Sequence, residues 1–221
     1  DISKLEKRSQ DWLEEKYSNL STWEKTQVAR HPNRPHFTNY AEGLLDDFVI
    51  LSGDRLFGED KAIIGGLGKI ENQSVMLIGH EKGNDTETRL KHNFGMAHPE
   101  GYRKSIRLMR LAEQFCIPVI TFVDTPGAYP GIGAEERGQS EAIARSTDCT
   151  LSLKVPVVSI IIGEGGSGGA IALAAANKVF MLEHSIYTVA SPEASASILW
   201  RSSERAKDAA ESMKITANDL M

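Results

Sequence analysis

Two short segments carry residues whose types and spacing suit chemistry. The first is Asp124-Thr125-Pro126-Gly127-Ala128-Tyr129-Pro130-Gly131-Ile132-Gly133, and the second is Gly163-Glu164-Gly165-Gly166-Ser167-Gly168-Gly169-Ala170. The second leaves an apolar run and opens a helical one, so bare peptide N–H groups should converge at a helix N-terminus, where negative charge is favoured. Glycine also removes the side chains that would keep a ligand away from such backbone. Glycines that only ease a strand-to-helix crossing are the plainer alternative, but five in eight residues exceeds what a crossing needs.

Three familiar chemistries compete for these segments. Gly163, Gly165 and Gly168 satisfy Gly-x-Gly-x-x-Gly with Glu183 downstream, which allows an NAD(P)-dependent oxidoreductase as the alternative reading. That fingerprint is weak alone, and it would follow an earlier strand–helix unit rather than open the first one. Gly165 to Gly169 also fit the Gly-x-Ser-x-Gly turn that exposes a nucleophilic serine. Its partners are missing: only His184 follows Ser167, and the one acid between them, Glu183, is its immediate neighbour. An Asp-x-x-Gly nucleotide switch at Asp124 to Gly127 fails too, because Gly65-Gly66-Leu67-Gly68-Lys69-Ile70 has neither the spacing nor the Ser/Thr of a phosphate loop. What remains is a pair of glycine turns with donors and no nucleophile, which suits a reaction that must stabilise an oxyanion.

The elements that must hold these turns alternate. Residues 1–30 are charge-rich, with Leu5, Trp12, Leu13, Tyr17, Leu20 and Trp23 near helical spacing, so one or two amphipathic helices are expected. His31-Pro32-Asn33-Arg34-Pro35 breaks them. A helical arm over residues 1–35 and a main domain over 36–221 follow. A helix is expected around Tyr40 to Leu51, then strands Ala62 to Ile70 and Ser74 to Gly79 joined by a short polar turn, then a long loop from His80 to Pro99. Beyond it, helices at Tyr102 to Phe115, Ala134 to Arg145 and Gly168 to Ala176 interleave with apolar runs at Pro118 to Val123, Pro156 to Ile162 and Lys178 to Leu182. That rhythm implies β-α-β crossovers and a largely parallel sheet. Ser191-Pro192 reads as the cap and first residue of a last helix, Glu193 to Trp200.

Composition narrows the classes. The 221 residues carry 25 Lys+Arg against 30 Asp+Glu, a net charge of -5 that offers no field for a polyanion, so nucleic-acid binding is disfavoured. The most apolar stretch, Val155 to Ile162, falls far short of a membrane span and no signal peptide opens the chain, so a cytoplasmic, membrane-free protein is expected. Cys116 and Cys149 are too few and too far apart for a metal pair or a disulfide framework, and are expected to be small buried hydrophobes. The six histidines show no ligand spacing.

Longer strings carry a resemblance. Gly53-Asp54-Arg55, Asn93-Phe94-Gly95-Met96, Pro99-Glu100-Gly101-Tyr102-Arg103-Lys104, Asp124 to Gly131, Ala134-Glu135-Glu136-Arg137-Gly138-Gln139-Ser140-Glu141 and Gly163 to Ala170 resemble, in order, the carboxyltransferase α subunit of bacterial acetyl-CoA carboxylase. The likeness runs from about Trp23 to the end. Members continue for several dozen residues further, which implies that C-terminal structure is missing here; Ala194-Ser195 stands where Gly-Cys or Gly-Ala is common.

The resemblance implies an α/β, crotonase/ClpP-like spiral of stacked ββα units and transfer of a carboxyl group from carboxybiotin, on a separate carrier protein, to acetyl-CoA. The product is malonyl-CoA, in the first committed step of fatty acid synthesis. It assigns Gly168 and Gly169 as the peptide pair on the biotin side, with Gly165, Gly166 and Ser167 beside them and Gly127, Ala128, Tyr129, Pro130 and Gly131 as the facing wall. Lys82, with Arg89 and Lys91, becomes a candidate for the coenzyme A phosphates, with a solvated loop as the equal alternative. The implied partners are a zinc-bearing carboxyltransferase β subunit, the biotin carboxyl carrier protein and biotin carboxylase, in an α2β2 assembly, with no metal in this chain. A non-catalytic assembly scaffold is the remaining alternative.

Overall fold

The computed structural model describes residues 2–221. Helix α1 (Ile2–Ser18) buries no residue, whereas α2 (Thr22–Ala29) starts at a capping box between Ser21 and Glu24 and buries Lys25, Thr26 and Ala29. After the proline segment comes α3 (Phe37–Leu44), which ends where the expected helix was to continue. Residues Asp46–Ile50 instead form an edge strand, β1, paired antiparallel with β2 (Ile63–Ile70). Phe48, Val49 and Ile50 are β-formers, and pairing with the hairpin next door outweighs a helical periodicity only a few residues long.

Strands β2 and β3 (Gln73–His80) form a full antiparallel hairpin from Ile63↔His80 to Ile70↔Gln73. Its two-residue turn has Glu71 and Asn72 at φ 47° and 72°, the mirror-image turn whose twist matches the strands. The long loop expected over His80 to Pro99 contains a short helix, α4 (Thr86–Lys91), capped by Asp85 accepting from the Thr88 N–H, and one 3-10 turn over Asn93–Gly95. A good cap with acid first and base last makes a helix too short for periodicity to show.

The rest alternates as expected. Helix α5 (Pro99–Gln114) leads to β4 (Val119–Thr125), and α6 (Ile132–Glu136) and α7 (Gln139–Ser152) are split at Gly138, whose φ of 80° no helix accommodates. Strand β5 (Val157–Gly166) runs straight into α8 (Ser167–Ala174), followed by β6 (Lys178–Met181), β7 (Ile186–Thr188), α9 (Pro192–Trp200), α10 (Ala206–Met213) and α11 (Ala217–Leu220). Ser191 caps α9 through the Ala194 N–H.

The sheet runs β1-β2-β3-β4-β5-β6, parallel from β3 onward, and β7 pairs with the last residues of β5. Its two faces pack differently. Met76, Ile78, Val119 and Val123 face α5 and α7 with Tyr102, Leu108 and Met109, while Leu77, Phe122 and Ile162 face α3 through Phe37 and Ala41. Alternation along β4 sends successive side chains to opposite cores. Both faces covered leaves only strand ends for function, and β4 and β5 end at the two glycine turns.

Candidate active site

The two turns touch. Three positions of the second segment recur every third residue against the first. A side chain begun at Gly163 would meet Asp124 Oδ1 at 2.4 Å, one at Gly166 would meet the Pro126 carbonyl oxygen at 2.3 Å, and one at Gly169 would meet the Ala128 nitrogen at 2.7 Å. Gly165 is held equally closely by the Tyr187 ring, at 2.9 Å. Glycine density therefore does not by itself mark an anion cradle: four of the five glycines are required by neighbouring chain. Gly168 is the exception, with nothing nearer than Ile143 at 3.5 Å.

The feature that could receive an anion is the start of α8. No side chain caps it, and the N–H groups of its first turn have no helical carbonyl to bond. Ser167 begins the helix at φ 52° and is exposed, and among the described residues its hydroxyl makes no hydrogen bond. That left-handed residue between strand and helix is the shape of a nucleophile turn without its base, as the missing downstream partners suggest. Gly168 is half-buried and Gly169 buried, so the exposed rim of the helix end is Ser167-Gly168. Beside it a mostly apolar recess of about 280 Å³ is lined by Ser167, Gly168, Ile171, Tyr187, Thr188 and Val189, with Leu220 closing it.

The facing turn is fastened at both ends. Thr125 Oγ1 donates to the Gly127 carbonyl, and Tyr129 donates its N–H to Ala97. Gln139 reaches the Ala97 and Tyr129 carbonyls with one amide nitrogen, and the Tyr129 ring lies 4.3 Å from that of His98. Pro130 is exposed, while Gly131 is close under Tyr129, where a side chain would meet the ring at 2.3 Å. Gly127, at φ 150°, has nothing near its open side.

Beneath both turns lies a charged network. The Lys82 ammonium sits 2.8 Å from Asp124 Oδ1 and 2.8 Å from Glu164 Oε1, and Arg30 joins Glu164 at 2.7 Å to Glu193 at 2.6 Å. Asp124 also accepts from the Glu164 N–H and has His36 Nδ1 at 3.7 Å. Burial opposes both charges. Lys82 nonetheless holds the Asp124 carboxyl down to about 2, and the two carboxylates hold the Lys82 ammonium above the usual lysine range. This corrects the phosphate role expected of Lys82: its charge is neutralised inside the protein, where it ties together the strand ends from which both turns depart. Arg89 lines the same cavity of about 260 Å³ and points its Nε to the Gly83 carbonyl.

Arg30, Glu164 and Glu193 were not singled out by sequence. Their signal was faint: an acid closing an apolar strand, and an arginine at the end of a helix in another part of the chain. Cys149 is buried as expected, but Cys116 is exposed at φ 55° just after α5. A recess of about 700 Å³ lies at the opposite ends of the strands, near Asn72, Phe115 and Pro118, away from both turns. Among the described residues no His, Cys, Asp or Glu cluster could hold a metal ion, and no helix is long and apolar enough to cross a membrane.

The fold is of the crotonase type, and solved structures share its architecture. The transcarboxylase 12S hexamer core matches with a TM-score of 0.72 at 15% identity, covering 88% of this chain and 39% of that one. The geranyl-CoA carboxylase β subunit of P. aeruginosa gives 0.67 at 18%, covering 90% and 39%. At those identities the likeness concerns the fold, and the chain spans about two-fifths of each.

Closer relatives fix the family. The α subunit of acetyl-coenzyme A carboxylase carboxyl transferase from Caulobacter vibrioides is 65% identical over 221 residues, all of this chain and 69% of that protein. The corresponding subunit from Zymomonas mobilis is 65% identical over 220 residues. The family model described as acetyl co-enzyme A carboxylase carboxyltransferase-like matches residues 1–221. The chain belongs to the acetyl-CoA carboxylase carboxyltransferase α-subunit family.

Proposed function

We propose that this chain provides the biotin-side half of a carboxyltransferase that moves a carboxyl group from carboxybiotin, borne on a carrier protein, to acetyl-CoA to give malonyl-CoA. The single observation that carries the reading is the uncapped start of α8, where the Gly168 and Gly169 N–H groups head a helix beside an apolar recess. That combination fits a compact bicyclic ring with one ureido oxygen. Carboxybiotin, when bound, supplies the carboxyl group and afterwards a ureido oxygen rich in negative charge that serves as base for the acetyl-CoA methyl proton.

The chain's own residues do the rest. The Gly168 and Gly169 N–H groups, held by a helix and so already oriented, stabilise the oxygen at no cost of reorganisation; such a donor contributes on the order of 3 kcal/mol. Gly165 and Gly166 let β5 approach Tyr187 and Pro126 closely enough to form the turn, and Ser167 supplies its bend. Ile171, Tyr187 and Val189 offer an apolar wall that excludes water. The turn from Gly127 to Gly131, braced by Gln139, packs against Gly169. A zinc-bearing β subunit would supply the second oxyanion site for the thioester, completing an α2β2 enzyme served by the carrier protein and biotin carboxylase.

The α chain alone should therefore form no malonyl-CoA from carboxybiotin and acetyl-CoA, and activity should appear when the β subunit is added. Formation of malonyl-CoA by the isolated chain would show that one subunit holds both sites. An inactive mixture would return the scaffold reading.

A further inference from the structure

Tyr102 lies in the first turns of α5 and is fully enclosed. Its ring belongs to the core between the sheet, α5 and α7, but its hydroxyl makes no hydrogen bond. The hydroxyl's surroundings are specific. A side chain begun at Gly169 would start 3.1 Å from Tyr102 Oη, 2.7 Å from the Ala128 nitrogen and 2.7 Å from the Gly127 carbonyl carbon. The oxygen thus stands in the notch where α8 meets the facing turn, behind the peptide groups that would meet a ligand.

Core packing explains the ring and not the oxygen. A phenylalanine would fill the same volume without burying an unpaired polar group, a feature that folded proteins seldom keep. The Gly127–Ala128 peptide next to it is unusually free. Its carbonyl accepts from Thr125 Oγ1 alone and retains a lone pair, its N–H makes no hydrogen bond among the described residues, and Gly127 has open space around its Cα.

We propose that Tyr102 is a positioning residue for carboxyl transfer: its hydroxyl donates to the Gly127 carbonyl once the bound carrier group reorients the free Gly127–Ala128 peptide, fixing the peptide plane that shares the Gly169 notch. The role rests on reading Gly168 and Gly169 as oxyanion donors. Burial drives the phenol above the usual tyrosine range, so the group remains a neutral donor and serves neither as base nor as nucleophile. Because Tyr102 acts from behind the backbone, it touches neither substrate.

The test is Tyr102→Phe in the α chain assembled with its β subunit, assayed with free carboxybiotin and acetyl-CoA and followed by thermal unfolding. We expect kcat to fall about 10- to 100-fold, as a misplaced reacting geometry does, with KM for acetyl-CoA unchanged. The melting temperature should hold or rise, since the variant removes a buried hydroxyl that the free protein leaves unpaired. A Phe variant with wild-type kcat would overturn the proposal, as would a fall in kcat matched by a lower melting temperature or by a higher KM. An unmodified complex that transfers no carboxyl group would instead sink the reading of the site itself, which separates the two failures.

Discussion

Gly168 and Gly169 are adjacent and identical, yet a methyl group added to each meets different surroundings. At Gly168 the nearest atom is Ile143 Cγ2 at 3.5 Å, an ordinary contact, whereas at Gly169 the Ala128 nitrogen and Gly127 carbon stand at 2.7 Å. Both are backbone and cannot rotate away. Gly169→Ala should therefore lose about 1–3 kcal/mol in a urea titration, the usual cost of overpacking, while Gly168→Ala should be as stable as the parent. Equal stability of the two variants would mean that the turns are not in contact. Chemistry at these positions was partly legible in the sequence. The strand-to-helix turn and the lack of a base for Ser167 both followed from residue types. The reason for the glycines did not, because Gly163, Gly166 and Gly169 answer to Asp124, Pro126 and Ala128, some forty residues away. Lys82 was misjudged for the same cause: a lysine in a polar stretch reads as solvated until Asp124 and Glu164 are folded onto it.

Strands β3, β4 and β5 end side by side, and their last residues concentrate ionisable groups in the interior. His80 closes β3 fully buried, with neither ring nitrogen hydrogen-bonded, and burial pulls its pKa from 6.5 to about 4. A depressed folded pKa means that the unfolded chain binds the proton first, so stability present above pH 6.5 is lost as pH falls toward 4. The difference between pH 7 and pH 5 should be about 2 kcal/mol from this group. Urea unfolding at the two pH values checks it, with His80→Phe expected to flatten the dependence; an unchanged slope in the variant would place the effect elsewhere. Asp124 shifts in the same direction but acts only between pH 4 and about 2, clear of this window. Elements as such were well marked where apolar runs and helical stripes were long, as in α5, β4 and β5. They were obscured where tertiary pairing decides, at β1, and where a cap sustains less than two helical turns, at α4.

At the scale of the whole molecule, apolar surface gathers around the candidate site. Helix α1 buries nothing, and Ile171, Val189 and Leu220 are 47%, 82% and 50% exposed around the recess that adjoins Ser167 and Gly168. Apolar surface gathered at a helix end that carries free donors suits a face completed by another subunit. That surface was not legible in the sequence, because exposure is a property of the folded chain and not of any residue type. The most direct test removes the donor itself and leaves side chains alone. Replacing Gly169 by glycolic acid exchanges its peptide N–H for an ester oxygen, and a residue in the first turn of α8 gives up no helical bond by the exchange. In the complex with the β subunit, malonyl-CoA formation should fall by about 10² to 10³ while the melting temperature stays near that of the parent. A complex with the ester at position 169 that turns over at the parent rate would contradict the assignment of this helix end as the oxyanion site.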